Sequence, residues 1–89
     1  MQHEVPEEWV IRRALTLTLQ NLRRKAGIAQ ETLALEAGIN RGYLGEMERG
    51  HHSPTLLMIC RMIPHLHVTF TGFAREFERC LQHVHEKER

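Results

Sequence analysis

The 89-residue chain has only two cysteines, and nothing beside either would give it chemistry. Cys60 and Cys80 form no CxxC pair and sit in no ligand cluster. They read as reduced, small apolar residues buried in a cytosolic chain, which argues against a disulfide framework or redox pair. Three prolines, six glycines and no low-complexity run leave no candidate for a linker or disordered tail. No apolar run approaches the ~20 residues that span a bilayer, and the opening MQHEVPEEW is acidic where a signal peptide is basic. The expected location is therefore cytoplasmic, with no membrane partner. No nucleophile–base set, glycine-rich phosphate loop or carboxylate pair stands out, so no catalytic residue, cofactor or enzymatic activity is expected. Seven histidines include His65-x-His67 and His83-x-His85. That i, i+2 spacing spreads side chains around a helix, whereas zinc needs three or four converging ligands, so no metal site is expected.

A surplus of charge is also missing. The net charge of +1 excludes a generic polycation that coats nucleic acid, although a specific binder depends on where its charge sits. Between residues 9 and 50 there are seven basic side chains against four acidic ones, whereas residues 71–89 are balanced. The small positive excess is thus local.

What the chain does have is helical periodicity. Val5-Pro6-Glu7-Glu8 reads as a helix start, with proline in the first turn and glutamates at the positive dipole end. Ile11, Leu15, Leu19, Leu22 and Ala26 then recur on one helical face. Leu15 to Leu19 also alternate as a strand would, but no partner strand follows, so a helix is expected to about Ala26. Trp9 and Leu17 fall off the stripe, toward the C-terminal helix or a second subunit. Gly27 is placed to end the helix in a left-handed cap.

Gln30–Ala37 form a second helix with Leu33, Ala34 and Ala37 inward, although Ala29 replaces the usual hydroxyl cap at a cost of about 1 kcal/mol. Gly38 and Ile39 make a corner, Asn40 caps a third helix, and Leu44 and Met47 face inward until Gly50 stops it. Ser53-Pro54-Thr55 open a fourth helix, in which Leu56, Ile59, Met62, Ile63 and Leu66 continue the core. Pro64 should kink or shorten its last turn. A fifth helix is expected over about 71–87, capped by Thr71, with Phe73, Phe77, Cys80, Leu81 and Val84 on its apolar face. Five helices and no convincing strand predict a single all-α bundle over residues 1–89.

Two short helices joined by a tight turn over residues 30–49 form the helix-turn-helix pattern, whose second helix suits a DNA major groove. The residues Gln30-Glu31, Leu33-Ala34, Ala37-Gly38-Ile39, Arg41, Tyr43-Leu44 and Glu48-Arg49-Gly50, followed by Ser53-Pro54-Thr55-Leu56, resemble the Xre-type, lambda-repressor-like regulators of bacteria and phages. The resemblance covers roughly residues 14–73. It implies a five-helix domain acting as a homodimeric, sequence-specific transcriptional regulator on a near-palindromic operator in double-stranded DNA. The small size and the segment NRGYLGEMERG are also similar to the controller proteins of restriction-modification systems.

The same resemblance implies roles for individual residues. Gln30 would donate to a phosphate and brace the third helix. Arg41, Gly42, Gly45 and Glu46 occupy its groove-facing positions, with Tyr43 and Arg49 placed for phosphates. Arg41 has the reach for a guanine or a phosphate, and Glu46 for a cytosine amino group. Arg23 matches an arginine that pairs with the glutamate at Glu48. The two glycines leave that face without side chains, which shifts expected specificity toward DNA shape. Arg12, Arg13, Arg24 and Lys25 read as a solvated face giving long-range attraction. The apolar face of the fifth helix (Phe73, Phe77, Cys80, Leu81, Val84) is expected to pair two chains. The competing reading is a protein-binding module that neutralises a partner, antitoxin-like, with DNA binding secondary.

Overall fold

The structure is a computed structural model that describes residues 7–87, so the proposed start at Val5-Pro6 and the extreme ends of the 1–89 domain lie outside the described residues. Five helices follow one another: α1 Glu8–Ala26, α2 Gln30–Ala37, α3 Arg41–Glu48, α4 Leu56–Met62 and α5 Phe70–Lys87. A 3₁₀ turn at Ile63–His65 extends α4, where Pro64 removes a backbone donor and shortens the helix as expected. There is no strand among the described residues.

Local chemistry explains the boundaries. Gly27 and Gly38 end α1 and α2 with φ near 70°. In each case the next residue, Ile28 or Ile39, donates its N–H back across the last turn, to Arg23 O at 3.2 Å and to Ala34 O at 2.8 Å. The isoleucine after each cap is then pulled onto the core, Ile39 fully and Ile28 in part. Asn40 Oδ1 accepts from Tyr43 N at 3.1 Å and Thr55 Oγ1 from Met58 N at 3.1 Å, so α3 and α4 start where side-chain caps exist. Ala29 makes no such bond. The cap of α5 is Thr69, whose Oγ1 accepts from Gly72 N at 3.0 Å, so the helix begins earlier than the expected Thr71.

Helix α1 is the spine, and it buries more than the one face that its leucines suggest. Leu19 and Leu22 join the central cluster with Leu33, Leu44, Met47 and Met62, and Leu15 packs against it. Ile11 and Ala26 are only half-buried. Val10, Ala14 and Thr18 form a second buried face, outside that cluster, where α1 pairs with α5. The two helices run antiparallel, since Asn21 meets Glu76 while Thr18 meets Cys80 farther along. Thr16 and Thr18 are both buried. The period-2 pattern from Leu15 to Leu19 therefore belongs to a helix whose threonines face α3 and α5, and the strand alternative falls away. Thr18 Oγ1 bonds Ala14 O at 2.7 Å, which satisfies it inside the seam.

Three expectations need correction. Phe73, Cys80 and Val84 are buried within this chain, leaving only Phe77 and Leu81 of the expected pairing face half-buried. Leu56 is 61% exposed, as is its neighbour Leu57 at 63%, and α4 meets the core only from Met58 onward. Cys60 is exposed on the outer side of α4, whereas Cys80 is buried as expected. Burial pushes the Cys80 thiol upward, so it stays protonated and inert.

The α1–α5 seam is edged by the Glu76–Arg79 ion pair. Arg79 holds the Glu76 carboxylate down to about 2, with help from Asn21, against the opposing effect of partial burial. A carboxylate depressed from 4.5 stabilises the fold above its unfolded value and loses that contribution as pH falls from about 4.5 toward 2. Glu76→Gln is expected to flatten the acid limb of a stability–pH curve across this window, measured by urea unfolding at successive pH values. A variant curve parallel to wild type would remove this assignment.

Candidate nucleic-acid interface

The last residue of α3, Glu48, is 3% exposed, so its charge must be met from inside the protein. Arg23 of α1 meets it with a fork, Nε to Oε2 at 2.6 Å and Nη2 to Oε1 at 3.1 Å. The third arm of the guanidinium donates to Ile28 O at 2.8 Å, and Gln30 of α2 donates Nε2 to Glu48 Oε1 at 2.9 Å. Two further α1 side chains reach the carbonyls at the same end of α3: Gln20 Nε2 donates to Glu48 O at 2.6 Å and Thr16 Oγ1 to Met47 O at 3.3 Å. Helix α3 has only eight residues, too few to hold its own direction. These bonds to α1 and α2, with buried Leu44 and Met47 beneath, supply that direction.

The geometry sorts the eight sequence-derived binding residues into two groups. Arg23 and Gln30 turn inward to Glu48, and Arg23 is left with a side chain only 15% exposed. Arg41, Gly42 and Arg49 are exposed, with Tyr43 and Glu46 half-buried. Gly45 is a correction: it is buried, and its missing Cβ would stand 3.3 Å from Arg49 Nη1. The Arg49 guanidinium therefore covers the space that a longer side chain at 45 would occupy. Gly42 has a related reason, since a Cβ there would lie 3.1 Å from the capping oxygen Asn40 Oδ1.

On this face Arg49 and His51 both converge on Glu46, while Arg41 makes no ion pair among the described residues. Glu46 accepts from Arg49 Nη2 at 2.7 Å and from His51 Nδ1 at 2.5 Å. The His51 hydrogen bond and then Arg49 hold the Glu46 carboxylate below its ordinary value, so it is ionised at neutral pH. The ring of Tyr43 stacks on His52, with centroids 5.1 Å apart and planes at 29°. The loop after α3 thus buttresses both flanks of its outer surface. Sequence reasoning placed His51 and His52 only in a loop and missed Thr16 and Gln20 as anchors. The i, i+4 spacing of the latter two puts them on one face of α1 without saying which helix that face meets. No group of three or more potential metal ligands occurs among the described residues.

Comparison with known proteins agrees with this arrangement. Residues 19–73 match the helix-turn-helix family model. The chain is 34% identical over 61 residues to the HTH-type transcriptional regulator SutR of Escherichia coli (strain K12), covering 68% of this chain and 34% of that one. It therefore spans about a third of that relative's length. A crystal structure of the clp gene regulator ClgR from Corynebacterium glutamicum is similar with a TM-score of 0.80 at 23% identity, over 88% of this chain and 83% of that one. The restriction-modification controller protein C.Esp1396I, solved as a tetramer on its natural 35-base-pair operator, is similar with a TM-score of 0.76 at 20% identity, over 85% and 99%. These likenesses give the fold as lambda-repressor-like.

Removing one partner of a buried ion pair strands the other. Glu48→Ala is expected to lower unfolding stability by about 3–5 kcal/mol, read from urea or thermal unfolding followed by circular dichroism. A loss below about 1 kcal/mol, the size of an exposed pair, would show that Glu48 is not the anchor of α3.

Proposed function

This chain belongs to the helix-turn-helix family, and we propose that it is a DNA-binding transcriptional regulator acting as a homodimer on a near-palindromic operator. The observation that supports this most directly is the fastening of α3. Arg23, Gln30, Gln20 and Thr16 all hold its C-terminal end. Arg41 and Gly42 at its free N-terminal end remain exposed. A short helix gripped at one end and bare at the other suits insertion into a major groove.

Within this proposal the eight positions take unequal parts. Arg41 is the principal reader, with two parallel hydrogen bonds available to a guanine. Gly42 lets backbone approach the bases, and Gly45 contributes the hollow covered by Arg49. Tyr43, steadied by His52, and Arg49 address phosphates. Glu46 reaches a cytosine amino group only on partial release from Arg49 and His51. Arg23 and Gln30 act through Glu48 as positioning residues. With so few readers, part of the specificity rests on DNA shape.

The proposed pairing surface is α5, in a narrower form than its sequence implies. With Phe73, Cys80 and Val84 turned against α1, the residues left are Phe70, which is 51% exposed, and the half-buried Ala74, Phe77 and Leu81. Their 4, 3, 4 spacing is that of a seam between two helices. A two-fold axis there would set two α3 helices on one DNA face, about 34 Å apart. The similar controller protein is solved as a tetramer on its own operator, which supports a multi-copy arrangement. The SutR relative is named as a transcriptional regulator, and a partner-neutralising module finds no comparable support.

Two measurements test the proposal. Fragments selected from random DNA by the purified protein are expected to share a palindromic consensus. Arg41→Ala should weaken binding to it by about 1–3 kcal/mol while relaxing preference at one base pair. Retention of no fragment by the wild type would overturn the regulator reading. Separately, Leu81→Glu is expected to shift sedimentation from dimer to monomer with helix content intact; a monomeric wild type would end the pairing claim.

A further inference from the structure

Beside the C-terminal end of α3 lies a groove of about 330 Å³ that none of the assigned positions explains except Arg49. It is lined by Trp9, Arg12, Arg13 and Thr16 of α1 together with Arg49 and Gly50. We propose that this groove is a phosphate-binding site for the DNA backbone, so that the N-terminal half of α1 grips the strand flanking the groove that α3 enters. This rests on the DNA-docking reading and adds a contact outside the helix-turn-helix unit.

The charge of this groove favours an anion. Three arginines line one depression of a chain whose net charge is only +1, and a guanidinium fork matches phosphate oxygens in pairs. Their present partners are weak ones. Arg12 is tied to Glu8 at 2.6 Å, but the Glu8 side chain is 84% exposed. Arg49 is shared with Glu46 on the surface. Arg13 is exposed and has no carboxylate within ion-pair distance among the described residues. Exposed pairs of this kind hold little free energy and yield to a doubly shared anionic oxygen.

The position of the groove favours DNA as the source of that anion. Thr16 lines the groove and also donates to Met47 O, so the groove wall and the α3 anchor share one side chain. Arg49 belongs both to the groove and to the outer face of α3. The groove is therefore continuous with the proposed docking face, and a strand lying along that face passes its mouth. Trp9 completes the wall: its indole N–H donates to exposed Glu7 at 2.7 Å, a bond that a phosphate oxygen can take over.

Trp9 is the chain's single tryptophan and is 47% exposed at this site, which supplies a direct reporter. Titration of the full chain with a mixed-sequence DNA duplex is expected to change tryptophan emission saturably. The Arg13→Ala variant is expected to bind every sequence more weakly, with a log affinity–log salt slope shallower by about 0.9. Arg75→Ala, an exposed α5 change outside the groove, should leave the slope as in wild type. Unchanged emission at saturating duplex, or a wild-type slope for Arg13→Ala, overturns the proposal. If Arg41→Ala still weakens operator binding in that case, the regulator reading survives and the groove alone fails. Emission that responds to an acidic peptide but not to the duplex would likewise overturn the commitment to DNA.

Discussion

A carboxylate with 3% exposure in so small a domain is tolerated only if charge and hydrogen bonds meet it from several directions. Glu48 is met by Arg23 from α1 and Gln30 from α2, while Gln20 holds the backbone carbonyl of the same residue. One buried charge thus ties the first three helices together. Apolar packing through Leu44 and Met47 sets how deeply α3 sits, but packing alone is non-directional. The ionic fork adds direction, because both guanidinium bonds survive only over a narrow range of α3 orientations. A proposed DNA-reading helix needs that constraint, since its function depends on the angle it presents.

The outer face of α3 follows a different economy. Arg49 and His51 both bond to Glu46, Arg41 stays exposed, and a side chain at either glycine would crowd a cap or a guanidinium. That surface is held ready without being strongly charged, in keeping with a net charge of +1. The proposed α1 groove then has a clear physical place. Affinity from phosphates and discrimination from bases come from different residues, and a face with few base readers benefits from an added backbone grip.

Helix α5 shows how one amphipathic pattern divides between two tasks. Its apolar residues look like a single broad stripe, yet Phe73, Cys80 and Val84 are consumed by the chain's own fold. The Glu76–Arg79 pair and Asn21 close the polar edge of that seam. Phe70, Ala74, Phe77 and Leu81 are what remains, and the proposed pairing of chains uses this remainder. Periodicity announces that a helix has an apolar side, but it does not say how many neighbours divide it.

The sequence by itself determined the five helices, the Gly27 and Gly38 caps, the Asn40 cap, the opening of α4 at Ser53-Pro54-Thr55, the break at Pro64, and the helix-turn-helix resemblance. All of these are decided within a few residues of chain, by backbone preference and short-range hydrogen bonding. The Arg23–Glu48 pair was legible only through the family likeness. Tertiary structure decided the rest: the burial of Gly45 under Arg49, the anchoring by Thr16 and Gln20, the exposure of Leu56 and Cys60, and the face of α5 that turns inward. The anchors join residues 28 and 31 apart in the chain, from Gln20 to Glu48 and from Thr16 to Met47. Such pairs are set by which helix face happens to lie opposite, and a periodic pattern on either helix alone carries no record of its neighbour.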